Sequence, residues 1–232
     1  LITTYFLWDV LLRQTGDFAG YTHTTILTYV LLTSLLEAIV FSSRSYELAD
    51  DVNNGNLSNY LLKPFNYFLY HAARDIGDKA MNIAFFVVEF TLFFLLIHPP
   101  FFIQTNLLLL LLFIISICIG VILCFFFNLL LGMIGFWSSD AWAPRFLFYI
   151  VLTFFSGAVI PLSMFPKGVY LFLQASPFAY LLFFPLQIYL GQIDTTAIYT
   201  GFAVGIAWSI GMYLLALAIW RKGLRMYTAQ GR

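Results

Sequence analysis

Long apolar stretches alternate with short polar segments along most of the chain. A helix needs about 20 apolar residues to cross the hydrocarbon core of a bilayer. Lipid offers backbone groups no hydrogen-bond partner, so each long apolar stretch is predicted to be helical. Five stretches predict spanning helices, at about residues 25–41, 80–97, 106–131, 146–160 and 197–220.

A shorter apolar stretch at residues 1–12 precedes these five. It is too short to span a bilayer, and we interpret it as the second half of a helix whose beginning is missing from the sequence. We expect no signal peptide there, since no basic leader or small-residue cleavage site brackets it. The predicted fold class is all-α, a polytopic membrane protein with six transmembrane helices in one domain over residues 1–232.

The composition supports a membrane protein and excludes two other classes. Hydrophobic residues make up 62% of the 232 positions and charged residues only 9%, against roughly 25% charged residues in a soluble domain. So few charges exclude a soluble globular protein, and the high hydrophobicity excludes a disordered chain. The formal net charge is zero, which leaves no basic face for nucleic acid.

The distribution of Lys and Arg predicts the orientation, because cytoplasmic loops carry an excess of these residues. Grouping the loops alternately puts only Arg13 and Lys167 on one side. The other nine of the 11 basic residues fall on the opposite side: Arg44, Lys63, Arg74, Lys79, Arg145, Arg221, Lys222, Arg225 and Arg232. We therefore predict that this second side is cytoplasmic and that both termini lie there.

Residues 42–79, which we call the inner segment, form the one long polar stretch of the sequence. A short helix with Glu47 and Asp51 is expected to stop near Gly55, since glycine tolerates the left-handed cap. Leu57 and Leu61 follow, before Lys63 and Pro64, and proline biases the preceding residue toward an extended conformation. The list of candidate residues for contact with a partner is Glu47, Asp51, Gly55, Leu57, Leu61, Lys63 and Pro64. The segment could equally lie on lipid, or form an interfacial elbow without a partner.

Two sets of short motifs resemble those of type-2 ABC transporter permeases. The string GNLSNYLLKP at residues 55–64 resembles the family signature G-x-L-x-x-x-L-L-(K/R)-P. A second set follows downstream: SG at 156–157, IPL at 160–162, FP at 165–166, PFAY at 177–180, Pro185 and YLG at 189–191. The order and spacing of the hydrophobic segments agree with this family along nearly the whole chain, except for the short first helix.

The resemblance implies a membrane subunit of an ATP-driven transporter, mostly of exporters, in the bacterial inner membrane. It implies a separate cytoplasmic ATPase subunit that binds the ATP and magnesium, and this chain carries no G-x-x-x-x-G-K-[ST] phosphate loop of its own. The chain would then be a coupling subunit and not an enzyme, and would bind no cofactor. The resemblance also implies a second permease subunit, either identical or related, and a hydrophobic or amphiphilic substrate.

Residues 155–191, which we call the outer segment, hold four prolines: Pro161, Pro166, Pro177 and Pro185. Proline interrupts helices, so each apolar piece is shorter than a spanning helix. We predict a pair of short re-entrant helices on the outer side, and the alternative is a plain outer loop. The resemblance implies that this region caps the translocation path. The candidate outer-gate residues are Gly157, Pro161, Pro166 and Pro177.

Two acidic residues, Glu37 and Glu89, lie within predicted spans. A charged side chain in a bilayer costs a few kcal/mol, so each should be neutral, paired or facing a cavity. They either line the substrate path or are structural acids. An ion-gradient-driven secondary transporter could use them as proton carriers, and this class is the main alternative function. The sequence offers no nucleophile or acid–base pair for a lipid-acting enzyme, and its histidines show no metal-binding spacing.

Overall fold

The computed structural model describes residues 2–15, 20–64 and 66–227. Within these ranges the chain is helical and has no β-strand, which confirms the predicted all-α class. The α-helices are α1 (Ile2–Thr15), α2 (His23–Val40), α3 (Leu48–Asn53), α4 (Leu57–Leu61), α5 (Tyr67–Ile97), α6 (Leu107–Gly132), α7 (Trp142–Phe155), α8 (Lys167–Ala175), α9 (Phe183–Leu190) and α10 (Thr195–Leu224). Short 3-10 turns cover Ser45–Glu47, Met133–Phe136, Leu162–Met164 and Phe178–Tyr180.

Four helical stretches of the described residues are long and apolar enough to cross a membrane, against six predicted. They are His23–Asn53, Tyr67–Ile97, Leu107–Phe136 and Thr195–Leu224. The chain is therefore a multi-pass membrane protein. The apolar α7 has 14 residues, which gives a length of about 21 Å and falls short of the roughly 30 Å hydrocarbon core.

The sequence predicts a short helical piece at about residues 65–74 that leads into a span starting near residue 80, and the structure has one continuous helix, α5, from Tyr67 to Ile97. The side chain of Asn66 caps its first turn by accepting hydrogen bonds from the backbone N–H groups of Phe68 and Leu69. Its first three turns carry polar side chains, which a hydropathy window reads as a loop. These turns remain helical because part of their polar face is buried against the rest of the chain.

The main core lies around α2, α6 and α9. The helix α2 packs against α1, α5, α6 and α9, and α6 packs against α9 and α10. All eight residues of α9 are buried, so lipid does not reach this short helix within the bundle. On α10, Gly201 and Gly205 face the rings of Phe184 and Tyr180. This G-x-x-x-G spacing therefore serves packing within the chain.

Two glycines near the inner end of α6 allow the backbone of the inner segment to come close. A Cβ atom built on Gly135 would lie 2.7 Å from the Cα atom of Ala49, and one on Gly132 would lie 2.9 Å from the carbonyl oxygen of Ser45. Backbone atoms cannot move aside as a flexible side chain does. Any larger residue at these positions therefore has to push the inner segment away from α6.

Replacing Gly135 with Ala should lower the free energy of unfolding by about 1–3 kcal/mol, the usual cost of overpacking. The matched control is Gly211→Ala, because a Cβ atom at Gly211 meets no neighbouring atom within 4 Å. That control should be neutral, or stabilising by up to about 1 kcal/mol, since alanine favours a helix interior. Denaturant unfolding of both purified variants in detergent measures the difference. Equal stability of the two would contradict the close approach.

Candidate functional site

The inner segment packs on the chain's own helices through its apolar side chains. Leu48, Val52 and Leu57 are buried. They belong to a second hydrophobic cluster whose other buried members come from α5, the inner end of α6 and α10: Tyr67, Leu129, Met133, Phe136 and Ala216. Burying a leucine contributes roughly 1.5–3 kcal/mol, so this cluster fixes α3 and α4 against the bundle.

The turn at Gly55 joins α3 to α4 and has the left-handed backbone predicted from the sequence, with φ of 74°. Tyr227, just after α10, holds this turn in place. Its hydroxyl group donates a hydrogen bond to the carbonyl oxygen of Gly55 at 2.9 Å, and it accepts one from the backbone N–H of Ser58 at 3.2 Å. The end of the last helix is thus bonded directly to the turn.

The two acidic candidates of the inner segment both have partners on α5. A carboxylate oxygen of Glu47 lies 2.8 Å from the guanidinium of Arg74, and Asp51 accepts a hydrogen bond of 2.8 Å from the hydroxyl group of Tyr67. Through these contacts both carboxylates hold α3 and the 3-10 turn before it against α5. Sequence reasoning missed Arg74 and Tyr67 as their partners.

Before α5 begins, the apolar surface that remains open on the inner segment lies at the end of α4. Leu61 is 46% exposed and Leu62 is 85% exposed. Lys63 and Pro64 are also exposed. A hydrogen bond with Tyr70 raises the pKa of the neighbouring Tyr60 to about 12, so this hydroxyl group stays neutral. Among the described residues, Leu57 faces inward and Leu61 faces outward, so only the second can touch another protein.

Residues 41–47, which we call the connector, join α2 to α3 and are held in place by hydrogen bonds and an ion pair with the polar face of α5. The clamping side chains are Asp75, Asp78, Lys79 and Asn82. Asp75 accepts hydrogen bonds from the backbone N–H of Arg44 and the hydroxyl group of Ser45, and Lys79 donates to the carbonyl oxygen of Ser42. Asp75 and Lys79 are both buried, which is tolerable only for charges that are paired and hydrogen-bonded.

On the opposite side of the molecule, Gly157 starts the outer segment with a left-handed backbone, at φ of 86°. The hydroxyl group of Tyr29 on α2 donates a hydrogen bond of 2.6 Å to the carbonyl oxygen of Gly157. A Cβ atom at this glycine would lie 2.8 Å from that hydroxyl oxygen. The backbone N–H of Phe183 then bonds to Ser156 at 3.0 Å. The outer segment is therefore folded back onto the end of α7.

Three of the four prolines of the outer segment precede its short helical pieces, and the fourth, Pro185, lies in the first turn of α9. Pro161, Pro166 and Pro177 stand at the N-terminal boundaries of the first 3-10 turn, of α8 and of the second 3-10 turn. Pro161 and Pro177 are buried and Pro166 is exposed. A proline at a helix start loses no hydrogen bond, because its missing N–H group would be unpaired there. These prolines thus divide the outer segment into short pieces at little cost.

A buried hydrogen-bonded chain ties α9 to the start of α2. The side-chain amide of Gln187 donates to the hydroxyl oxygen of Tyr21 at 2.6 Å, and Tyr21 lies 3.0 Å from the hydroxyl oxygen of Ser163. Gln187 is almost fully buried, so an unpaired amide there would be costly. This contact joins both halves of the outer segment to one point of the bundle.

The two intramembrane acids lie in different surroundings. Glu37 is half-buried on α2, and Glu89 is exposed on α5. The ion pairs of the described residues include neither of them. Neighbouring side chains on α5, such as Phe85 and Val88, are also exposed. The structure therefore brings the candidate residues of the inner segment together at one site and those of the outer segment together at another. Glu37 and Glu89 contact neither group.

Comparison with protein families gives one match to this chain. The model described as ABC-2 family transporter protein matches residues 1–231. None of the curated proteins compared with the chain matches it.

Replacing Tyr227 with Phe should loosen the turn at Gly55, because the variant lacks the hydroxyl group that bonds Gly55 and Ser58. Each lost hydrogen bond is worth roughly 0.5–1.5 kcal/mol. Hydrogen exchange measured by mass spectrometry should be faster in peptides covering residues 55–61. The control is Tyr199→Phe, since Tyr199 is an exposed residue of α10, the helix that precedes Tyr227. Unchanged exchange in the Tyr227 variant would show that packing alone holds the turn.

Proposed function

The chain belongs to the ABC-2 transporter family, and from this premise we propose that it is an exporter subunit that couples ATP hydrolysis to the movement of a hydrophobic or amphiphilic substrate. Permeases of this family are membrane subunits, generally non-catalytic, that work with an ATPase subunit. In this proposal ATP and magnesium bind to the ATPase chain. This chain supplies the membrane path and converts motion of its partner into motion of its helices.

The inner segment is the observation that carries the proposal. Its connector is clamped to α5, α3 rests on the inner end of α6, and the turn at Gly55 is bonded to the residue after α10. The helices α5, α6 and α10 therefore all contact the inner segment, and Leu61 and Leu62 are exposed on its surface. A partner that pushes on these leucines would move α5, α6 and α10 together.

Each candidate residue of the inner segment then has a part in coupling. Glu47 and Asp51 fasten the segment to α5, and Leu57 anchors it inside the hydrophobic cluster. Gly55 permits the turn that Tyr227 holds. The contact surface for the ATPase consists of the exposed Leu61, Leu62, Lys63 and Pro64.

We also propose six membrane passes in a single domain over residues 1–232, with both termini inside. The main hydrophobic core supports one domain, because its buried members come from α1, α2, α5, α6, α7, α9 and α10. The two further passes would include the 14-residue helices α1 and α7, each extended by flanking residues to reach the roughly 30 Å of the hydrocarbon core. The cytoplasmic assignment of the inner segment rests on the nine basic residues on its side of the chain. The membrane is then the bacterial inner membrane.

The exposed position of Glu89 supports a second permease subunit. An acid facing lipid at the middle of a span is costly, by about 2.5–3.5 kcal/mol on insertion scales. A water-filled path between two subunits would remove this cost. In this arrangement Glu37 and Glu89 line the path, and Gly157, Pro161, Pro166 and Pro177 shape the outer gate above it. The second subunit is an identical or a related permease.

Cysteine labelling in intact cells tests the orientation. In a variant without Cys118 and Cys124, a cysteine at exposed Lys167 should react with a membrane-impermeant reagent. A cysteine at exposed Asn56 should react only after the cells are opened. The reverse pattern would place the inner segment outside and remove the site of ATPase contact.

Replacing Leu61 and Leu62 together with Asp should abolish co-purification with the ATPase subunit that assembles with the wild-type chain, and the stimulation of that ATPase by the chain. The change removes exposed apolar surface and leaves the buried cluster intact. The matched control is Asn54→Asp, which adds charge to an exposed position of the same segment. Normal assembly and transport in the double variant would show that the inner segment is an interfacial elbow without a partner. That result would favour an ion-gradient-driven transporter.

A further inference from the structure

A cavity of about 400 Å³ opens between α2, α6 and α7 at the inner end of the bundle. Its walls are mainly apolar and aromatic, with Phe41, Leu131, Phe146, Phe148, Tyr149 and Leu152 among them. Of the described residues that line it, Arg145 alone carries a charge. An apolar cavity with one cation suits a ligand that has an apolar body and an anionic end.

The guanidinium of Arg145 is open to such a ligand. It projects from the first turn of α7 and lies over the ring of Tyr46, which belongs to the inner segment. None of the ion pairs of the described residues includes it. Arg145 also lines two smaller adjoining cavities. One, of about 210 Å³, includes Asp50 and Asp140, and Asp140 accepts a hydrogen bond from the backbone N–H of Trp142. The other, of about 290 Å³, includes Asp78, which pairs with Arg44. Arginine has five N–H donors, and a cation–π contact uses none of them.

Two aromatic side chains mark the mouth of this cavity as the level of the lipid headgroups. Trp142 is 67% exposed, and its ring is stacked on that of Phe146 with the centroids 5.3 Å apart. Indole rings favour the membrane–water interface, where they face both lipid and water. The next turns of α7 expose further apolar side chains, including Leu147 and Ile150. The cavity is thus continuous with the surface of α7 that faces lipid.

We infer that this cavity binds an anionic phospholipid of the inner leaflet, with its phosphate on Arg145 and one acyl chain along Phe146, Tyr149 and Leu152. The planar guanidinium matches a phosphate by forming two parallel hydrogen bonds. The leaflet assigned here rests on the proposed orientation, whereas the lipid chemistry rests on the cavity. Through Tyr46 the bound lipid touches the inner segment itself.

Tryptophan quenching by brominated lipids tests the site in the full chain. The purified protein is reconstituted in phosphatidylcholine vesicles that contain either brominated phosphatidylglycerol or brominated phosphatidylcholine. The signal of Trp142 is the difference between the wild-type chain and the Trp142→Phe variant. We expect brominated phosphatidylglycerol to quench this signal at about tenfold lower content than brominated phosphatidylcholine, a ratio that corresponds to ~1.4 kcal/mol.

Variants of the cation separate this site from general attraction to anionic lipid. Arg145→Gln should remove the preference for phosphatidylglycerol, and Arg145→Lys should keep only part of it, because lysine lacks the planar fork. Arg221→Gln is the control, since Arg221 is a basic residue on the same side that does not line the cavity. This control should keep the full preference.

Three results would overturn the inference. They are equal quenching by the two lipids in the wild-type chain, a preference that survives in Arg145→Gln, and loss of the preference when inorganic phosphate is added. The third would identify a site for a free anion. The comparison of the two brominated lipids in the wild-type chain tests the inference even if the Arg145→Gln variant does not fold. No ATPase is present in the vesicles, so the lipid preference can be found even if the proposed coupling to an ATPase is wrong. Equally, a lack of lipid preference would not contradict the proposed coupling.

Discussion

The close packing of α3 against the inner end of α6 is the contact on which the inner face of the molecule depends. It exists because Gly132 and Gly135 have no side chains, so the backbone at Ser45 and Ala49 reaches α6 directly. Once α3 is in place, Leu48 and Val52 are covered, and Leu57 completes the same cluster. The turn at Gly55 then comes within reach of Tyr227. Without the two glycines, neither the cluster nor the turn would be assembled.

Burial of charge on α5 is the second constraint, and it explains why this helix continues through a polar stretch at its N-terminal end. Asp75 and Lys79 lie under the connector from α2, where water cannot satisfy them. Each gains its partners only if the connector takes one particular path. Removing one partner of a buried pair costs about 3–5 kcal/mol, so alternative paths are strongly disfavoured. The polar face therefore specifies where the inner segment lies, and the apolar cluster provides most of its stability.

The sequence predicts those features that depend on local chemistry. Hydropathy finds the long apolar helices because transfer to lipid depends on composition, and glycine at position 55 predicts the left-handed turn that the structure contains. It does not predict that α5 runs unbroken from Tyr67 into the span, because buried polar residues look like exposed ones in a hydropathy window. It also cannot distinguish Leu57 from Leu61, since the spacing of apolar residues does not reveal whether a face meets the chain itself or another protein. The contacts of Tyr227 and of Gly135 join residues far apart in sequence, and no local pattern signals them.

The helix α2 connects the two ends of the molecule as a stiff rod. Its 18 residues give it a length of about 27 Å. At one end the connector is held by α5, and nearer the other end Tyr29 is bonded to the carbonyl oxygen of Gly157. A tilt of about 5° about the inner end would carry the backbone at Tyr29, about 16 Å from that end, sideways by roughly 1.4 Å, which is enough to stretch this hydrogen bond beyond its normal length. The outer segment would then be released by leverage, without any change of shape within α2.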